Sequence, residues 1–237
     1  MIGLGTILNC AGILAGGLAG HFAGRLFKPE QQDGLIKACG VSVLFIGIAG
    51  AMEGMLTVQD GSLTGGKSML VVLCLALGTL LGEFIGIERG FERFGEWLKA
   101  RTGNSGDAGF VAAFVTASLT VSIGAMAVVG AIRDGLLGDH STLAVKAVLD
   151  FIIIAVMTSS LGKGCVFSAI PVFAFEGLMT VLARLIAPVM TDSAVASLSL
   201  LGSILIFCIG VNLVWDKKLR VANMLPSLLL AIAAAYL

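Results

Sequence analysis

Two carboxylates and one ammonium group lie in stretches of sequence that are otherwise apolar. Lys146 and Asp150 are four residues apart, and Glu176 follows five residues after Pro171. A carboxylate at the centre of a membrane-spanning helix costs about 2.5–3.5 kcal/mol on insertion scales, so it is expected to face the interior of a helix bundle and to have a partner. We predict that Asp150 and Glu176 bind an ion and that Lys146 is their charge partner.

A purely structural role is the alternative for these residues. Lys146 and Asp150 share a helix face at this spacing, and a satisfied buried ion pair between them would need no further function. Lysine on the N-terminal side is the weaker orientation, so the pair alone does not account for Asp150. Glu53 and Glu83 are secondary candidates, because they lie nearer the ends of their apolar segments, where ordinary solvation explains them equally well.

Small and hydroxylated residues indicate an interrupted helix in the same region. Hydroxyl side chains alternate with small or apolar ones from Thr116 to Ser122, and Gly124 follows two residues later. Hydroxyls satisfy backbone carbonyls where a helix is broken, and broken helices beside a buried acid are typical of transporter ion sites. Ser122 and Gly124 are therefore predicted site residues. Lys163, between two glycines, is a secondary candidate that loop chemistry explains equally well.

An amide side chain also lies at membrane depth. Asn9 falls within the first apolar segment, where it is able to hydrogen-bond to a neighbouring helix. Such interhelical bonds average well under about 1–2 kcal/mol, so holding two helices together is the alternative role. We include Asn9 among the predicted binding residues.

The segments that must position these residues are long and apolar. A bilayer core of about 30 Å needs about 20 apolar residues in a helix. We predict an all-α polytopic membrane protein, with residues 1–237 forming a single integral membrane domain of seven or eight transmembrane helices. The count is seven if the fifth or sixth segment is half-length or re-entrant. The candidate spans are 3–24, 35–57, 67–87, 110–132, 143–162, 164–187, 194–215 and 220–237.

The composition excludes the other broad classes of protein. Of the 237 residues, 57% are hydrophobic and 13% are charged, and the net charge is zero. Soluble domains are about 25% charged, so this chain has too little polar surface to cover a core in water. A secreted disulfide scaffold, a disordered chain and a nucleic-acid binder are excluded. The scattered cysteines and two isolated histidines predict no metal site and no cofactor.

The basic residues indicate an orientation in the membrane, because cytoplasmic loops carry an excess of Lys and Arg. With eight spans, eleven of the 15 basic residues fall on one side and four on the other. We predict that the first side is cytoplasmic and that both termini face outward. In the cytoplasmic loop, aromatic and charged residues near 88–101 recur at helical spacing, which predicts an amphipathic helix in the membrane interface.

Glycines recur every four residues in two of the spans, from Gly12 to Gly24 and from Gly78 to Gly90. Such rows allow another backbone to approach closely, either within the protomer or across a homodimer. A sliding face or a backbone-lined pore is the functional alternative. Residues 44–47 and 207–210 are also similar, which suggests an inverted repeat of spans 1–3 and 6–8, an arrangement common in secondary transporters.

Three blocks of this sequence carry a resemblance to a known family: Gly3-x-Gly5-Thr6-x-Leu8-Asn9 with Gly16-Gly17-Leu18, Gly124-Ala125-Met126 with Gly130-x-Ile132-x-Asp134-Gly135-Leu136, and Lys146 with Leu149-Asp150 and Leu161-Gly162-x-Gly164. They resemble the bacterial inner-membrane family known as domain of unknown function 554. The resemblance covers essentially the whole chain and implies a multi-pass protein of the bacterial plasma membrane, sometimes labelled a transport protein. It implies no substrate and no catalytic residues, and Ser122 departs from it where a cysteine is expected. It suggests that residues 124–136 and 146–164 belong to one site.

Together these features predict a small secondary transporter of an ion or small solute, coupled to protons or sodium. No enzyme is predicted, because the sequence contains neither the H-E-x-x-H pattern of metalloproteases, nor the G-x-S-x-G pattern of serine hydrolases, nor the G-x-G-D pattern of intramembrane aspartyl proteases. Two alternatives stay open: a passive ion channel, and a non-transporting membrane scaffold or assembly factor whose buried acids are merely paired. The predicted partners are membrane lipid, a small ion or solute, and a second copy of the chain.

Overall fold

The computed structural model describes residues 2–24, 26, 28–59, 62–122, 125–215 and 219–236. Within these residues the chain is α-helical, apart from one hairpin and two 3₁₀ helices. The α-helices are α1 (Leu4–Gly24), α2 (Pro29–Met55), α3 (Ser68–Ile85), α4 (Ile87–Arg101), α5 (Phe110–Ser122), α6 (Ala125–Leu137), α7 (Ser141–Leu161), α8 (Ala169–Val181), α9 (Ala183–Ile186), α10 (Asp192–Val214), α11 (Val221–Met224) and α12 (Pro226–Ala234). The hairpin pairs β1 (Leu56–Gln59) with β2 (Ser62–Gly65), and the 3₁₀ helices are Lys163–Ser168 and Ala187–Val189.

Most of these helices are long and apolar enough to cross a membrane. In the described part of the chain, six pass this test singly: α1, α2, α3, α7, α10, and α8 together with the 3₁₀ helix before it. α5 and α6 pass it as a pair that is bent by 61° at the break between them. α11 and α12 form a shorter apolar segment, Val221–Ala234. The chain is therefore an all-α polytopic membrane protein, which confirms the predicted fold class.

Large apolar side chains cover the outside of these helices. Phe84 is 91% exposed, and Leu80, Val181 and Leu229 are each at least two-thirds exposed. Water-soluble proteins rarely expose contiguous apolar surface on this scale, because such surface drives association. In a bilayer the same side chains contact lipid, so their exposure agrees with the composition.

The helices cluster into two compact units that alternate along the sequence. Unit 1 contains Met1–Cys39 and Arg89–Ala187, and unit 2 contains Gly40–Glu88 and Pro188–Leu237. Unit 1 holds α1 and the helices from α5 to α9, together with nearly all of α4. Unit 2 holds α3, α10, α11, α12 and the C-terminal part of α2.

In unit 1 the first glycine row packs directly on the backbone of α7. The pairs are Gly12 on Ala147, Gly16 on Phe151, Gly20 on Ala155 and Gly24 on Ser159. A Cβ atom built on any of these glycines would lie within 2.8 Å of the paired carbonyl oxygen, closer than real Cβ contacts. Residue numbers rise together in the two helices, so α1 and α7 run parallel. All four glycines of this row therefore pack against α7 inside the chain.

The pair formed by α5 and α6 traverses unit 1 once. α5 begins beside the 3₁₀ helix that precedes α8, where Gly164 packs on Phe110. α6 finishes beside the end of α8, where Gly135 packs on Thr180. Since the segment Lys163–Val181 is a single span, its neighbours at the two ends lie on opposite sides of the unit. α5 and α6 together therefore follow the length of that segment once, which favours two halves of one broken span over a re-entrant loop.

In unit 2, α2 and α10 meet through two glycines that exchange contacts. Gly47 packs on Phe207, and Gly210 packs on Leu44. The two similar segments, 44–47 and 207–210, are thus each other's neighbours. The inverted repeat that their similarity suggested stays a prediction.

The second glycine row differs from the prediction. In α3, Gly78 packs on Ser227 and Gly82 packs on Asn223, so this helix receives the shorter helices α11 and α12. Gly86 instead ends α3 in the left-handed conformation, with φ +75°. Gly90 lies on α4 with open space around it. The row therefore contains two packing positions and not four, because the chain turns at Gly86.

The predicted amphipathic helix is present as α4. Its buried face carries Leu98, and Phe94 stacks on Trp97 with ring centroids 5.7 Å apart. Phe94 also contacts Phe114 at the start of the broken span, at 5.8 Å between centroids. α4 is thus attached to unit 1 through aromatic contacts, and its place in the membrane interface stays a prediction.

Candidate functional site

Four of the predicted site residues lie together inside unit 1. Lys146 donates a hydrogen bond to Asp150 Oδ2 on the same face of α7, and its Nζ lies 3.6 Å from Glu176 Oε1 on α8. Asn9 on α1 donates from Nδ2 to the same Glu176 oxygen over 2.8 Å. Asn9 and Glu176 are 0% exposed, Asp150 is 4% exposed and Lys146 is 6% exposed. We refer to these four residues as the charge cluster.

The close approach of α1 to α7 explains how the cluster assembles. Asn9 precedes Gly12 by one helical turn, and Gly12 sits on the backbone of Ala147, next to Lys146. Larger side chains in the glycine row would push α1 outward and remove the amide from the acids. Glu176 comes from α8, which also packs on α1, so three helices converge on the four side chains.

The break in the span between α5 and α6 contributes a backbone ligand. Lys146 Nζ donates a hydrogen bond over 2.8 Å to the carbonyl oxygen of Val121, in the last turn of α5. Carbonyls in the last turn of a helix have no partner within the helix, and they form the negative end of its dipole. The ammonium group of Lys146 therefore has three oxygen neighbours: two carboxylates and one helix terminus.

The cluster contains one cation and two carboxylates, so its formal charge is −1 when every group is ionised. Asp150 is bound directly by Lys146, whereas Glu176 lies farther from the ammonium group. Two oxygen atoms of the cluster, Glu176 Oε2 and Asn9 Oδ1, are buried with no hydrogen-bond partner among the described residues. Buried polar atoms are nearly always satisfied, so Glu176 Oε2 is a candidate to hold a proton, and both oxygens are candidates to bind a water or a cation.

The remaining predicted residues are less closely involved. Ser122 follows Val121 and is half-buried, and its hydroxyl has no partner among the described residues. Gly124 lies outside the described residues. Lys163 is exposed at the start of its 3₁₀ helix.

The two secondary carboxylates belong to unit 2, whereas the cluster belongs to unit 1. Glu53 is exposed on α2, and Glu83 on α3 accepts a hydrogen bond from Arg220 over 3.1 Å. Both positions agree with the alternative of ordinary solvation near helix ends.

A third buried carboxylate of unit 1 was not among the predicted site residues. Asp134 on α6 is 0% exposed, and its Oδ2 accepts a hydrogen bond over 3.0 Å from the backbone N–H of Gly5. That N–H belongs to the first turn of α1, where orphan donors and the helix dipole favour a negative charge. In the sequence Asp134 follows Arg133 and lies just beyond the predicted span 110–132. The signal that was available is the glycine that follows it, which lets α6 pack tightly on α8.

Metal binding by a larger ligand set has no support in the described residues. Across those residues, no three or more His, Cys, Asp or Glu side chains are grouped as a metal site. The cysteines Cys10, Cys74, Cys165 and Cys208 are free thiols.

Together the fold and this cluster define a class of protein. It is a polytopic α-helical membrane protein with a buried charge cluster beside the break between α5 and α6. Family comparison agrees with the resemblance seen in the sequence. The chain belongs to the family described as "Protein of unknown function (DUF554)", whose model matches residues 4–236.

Two relatives cover nearly the whole chain. It is 28% identical over 227 residues to a Bacillus subtilis (strain 168) protein called "Uncharacterized membrane protein YdfK", covering 95% of this chain and 93% of the relative. It is 27% identical over 232 residues to an Escherichia coli (strain K12) protein called "Uncharacterized protein YqgA", covering 96% of this chain and 94% of that one. No solved structure matches the chain.

Proposed function

We propose that this protein is a small secondary transporter of an ion or small solute, coupled to one monovalent cation, a proton or Na⁺, that binds at Glu176. One observation carries the proposal: the buried charge cluster contains two carboxylates and one ammonium group, and it lies beside the break between α5 and α6. Ionisable residues inside a membrane are costly, and they commonly mark ion pathways and proton relays. Broken helices that supply carbonyl oxygens to such a site are frequent in secondary transporters.

Charge balance assigns different roles to the two carboxylates. Lys146 is committed to Asp150 and to the carbonyl of Val121, so these groups form a fixed pair anchored at the helix terminus. Glu176 then carries the uncompensated charge, which a proton or Na⁺ neutralises. Burying an uncompensated charge is expensive, so the cluster favours an occupied Glu176 when the site is closed. Exchange of that cation between the two sides of the membrane supplies the coupling.

The proposal includes an orientation. The excess of basic residues near α4 supports a cytoplasmic position for that helix in a bacterial plasma membrane, with outward-facing termini. The relative from Bacillus subtilis is named as a membrane protein, which agrees with this setting.

The test is cation flux by the purified protein in liposomes. Vesicles loaded with a pH-sensitive dye report proton movement, and radioactive sodium reports Na⁺ uptake under an imposed membrane potential. We expect saturable flux of one of these ions, reduced by Glu176→Gln to the level of empty vesicles. Asp150→Asn should also lower it, because Lys146 is then left to neutralise Glu176. The matched control is Glu53→Gln, on an exposed position of unit 2, which should retain the wild-type flux.

The alternatives give different results in the same vesicles. A passive channel would give flux that rises with the gradient without saturation. A membrane scaffold would give no flux above that of empty vesicles. Unchanged saturable flux in both Asp150→Asn and Glu176→Gln would show that the ion binds elsewhere.

A further inference from the structure

Buried polar residues continue from the charge cluster toward one end of unit 1. Thr6 on α1 and Thr180 on α8 are buried, and their hydroxyl oxygens lie 3.4 Å apart. Asp134 lies beyond them on α6, fully buried, and its Oδ1 has no partner among the described residues. None of these three side chains belongs to the charge cluster.

Helical spacing places the hydroxyl pair directly between the cluster and Asp134. Thr180 follows Glu176 by four residues, and Thr6 precedes Asn9 by three, so each threonine shares a helix face with a cluster residue. The contacts run in the same order, with Asn9 on Glu176 and Thr6 on Thr180. The Asp134 carboxylate contacts Gly5, the residue next to Thr6, so it lies one step farther along this interface.

The opposite direction from the cluster is mainly apolar. Ile13, Ile154, Met157 and Val172 form part of a buried hydrophobic cluster there, each no more than 2% exposed. Buried hydroxyls are also present on that side: Ser118, Thr158 and Ser168. Asp134, Asp150 and Glu176 are the buried carboxylates in the described part of unit 1, so that side holds no buried acid. Among these residues, a further buried carboxylate therefore lies beyond the cluster in one direction, toward Asp134.

We propose that Asp134 and the Thr6–Thr180 pair form a proton route between Glu176 and the end of unit 1 at which α6 ends. The inference rests on the proposed function, and it selects the proton as the coupling ion. A hydroxyl both donates and accepts a hydrogen bond, so it is able to pass a proton on. A sodium ion would instead have to displace these tightly packed side chains.

The transfer balances in protons. Protonated Asp134 gives its proton to one threonine hydroxyl, this hydroxyl passes its own proton to the second hydroxyl, and the second releases its proton to the ionised carboxylate of Glu176. Asp134 becomes a carboxylate and Glu176 a carboxylic acid, while both hydroxyls are regenerated. Asp134 then takes a new proton from water at the end of the unit. The same transfers in reverse order remove the proton from Glu176.

Few other charged groups act on Asp134. α6 packs against α1, α7, α8 and α9. The titratable and charged groups on those helices and on α6 itself are Cys10, His21, Lys146, Asp150, Glu176, Arg184 and Arg133, with Asp139 and His140 in the connection to α7. Arg184 is exposed, and Arg133 is exposed and paired with Asp139 at 2.6 Å. Among the described residues of these elements, Lys146 is the buried cation.

The experiment measures how fast Glu176 exchanges its proton. Full-length protein in lipid nanodiscs is subjected to a pH jump, and carboxyl protonation is followed by time-resolved infrared spectroscopy. The Glu176 band is assigned by its loss in Glu176→Gln. We expect Asp134→Asn and Thr180→Val to slow its protonation by about tenfold or more. Asparagine keeps an acceptor for the Gly5 N–H, so a purely structural role for Asp134 predicts no such slowing.

Thr158→Val is the matched control, because it removes a buried hydroxyl on the apolar side and should leave the rate unchanged. Wild-type rates in both Asp134→Asn and Thr180→Val would overturn the route while leaving the proposed function intact. Slowing by Ser168→Ala but not by Thr180→Val would also overturn it, since the proton would then enter from the other end. A Glu176 band that never titrates would overturn the route and proton coupling, and the proposed function would then stand or fall with the Na⁺ flux in liposomes. If Asp134→Asn does not fold, Thr180→Val decides.

Discussion

Lys146 determines the electrostatics of the site at the scale of single residues. Its ammonium group contacts Asp150, the Val121 carbonyl and, at 3.6 Å, Glu176. Removing one partner of a buried ion pair leaves a charge without compensation, which costs far more than removing both partners. The cluster therefore separates into a pair that stabilises the fold and one carboxylate that is available for an ion.

Lys146→Met should reveal this division in the stability of the protein. We expect the free energy of unfolding to fall by about 3–5 kcal/mol, because two carboxylates then remain without a cation. The double variant Lys146→Met with Asp150→Leu should recover most of that loss, since it removes the whole pair. Unfolding in mixed micelles measures both values. A double variant that is no more stable than Lys146→Met would contradict the fixed pair.

Asp139, in the connection between α6 and α7, provides a pH-dependent contribution. Hydrogen bonds from Ser141 hold the pKa of this half-buried carboxyl below its ordinary value, and the nearby Arg133 acts in the same direction. A carboxyl whose pKa is lower in the folded state adds stability above its unfolded pKa of about 3.9, and this is lost as the pH falls through the folded value.

Asp139→Ala should therefore lower the apparent melting temperature at neutral pH. The difference from wild type should shrink as the pH falls below about 4. Thermal unfolding in detergent, repeated over a pH series, checks this. A difference that stays constant across the series would mean that the ionised form of Asp139 is not what stabilises the connection.

Close packing through glycine is the feature that matters most at the scale of helices. α1 lies on the backbone of α7 through four glycines, and this contact carries Asn9 into the cluster. The spacing of the row predicted such a contact, but it did not identify the partner helix. Spacing within one helix carries no information about which neighbour the groove will meet. The same limit explains Gly86 and Gly90, which share the spacing but lie at and beyond the end of α3.

Gly16→Ala should destabilise the protein, because its Cβ would collide with the backbone of Phe151. We expect a loss of about 1–3 kcal/mol, typical of overpacking against atoms that cannot move aside. Gly90→Ala on α4 is the matched control. It has open space around it, and alanine should raise stability there by up to about 1 kcal/mol through helix propensity. Equal unfolding free energies for the two variants would contradict the close contact.

The broken span determines the topology at the scale of the whole molecule. If α5 and α6 cross once, the loop before α5 and the connection after α6 lie on opposite sides of the membrane. The glycine rows that suggested a homodimer are used inside the chain, so they no longer support that prediction. Binding of a second copy of the chain remains a prediction, and no dimer surface is assigned to it.

Labelling of two engineered cysteines tests this topology. Ser105→Cys and Ser141→Cys are conservative changes at exposed positions on either side of the pair. A membrane-impermeant thiol reagent added to intact cells should label Ser141→Cys and should reach Ser105→Cys only after the membrane is opened. The unmodified protein controls for its own free cysteines. Labelling of both positions from the same side would indicate a re-entrant pair.

The sequence predicted the fold class and most of the cluster because the bilayer makes their chemistry conspicuous. A charge in an apolar segment is expensive wherever it points, so Lys146, Asp150 and Glu176 could be singled out without coordinates. Asp134 was not chosen because the predicted span ended at residue 132, whereas α6 continues to Leu137. A carboxylate near a helix end is normally solvated, and only its burial in the structure, with a hydrogen bond from the Gly5 N–H, distinguishes this one. The Val121 carbonyl carries no side-chain signal at all.

Charge movement measured on a solid-supported membrane tests the central claim without knowledge of the cargo. A rapid jump in proton or sodium concentration over adsorbed proteoliposomes should displace charge as the ion enters the buried site. We expect a transient current in the wild-type protein and in Glu53→Gln, and no such current in Glu176→Gln. A current that persists in Glu176→Gln, or a wild-type protein that gives none, would contradict a cation site at Glu176.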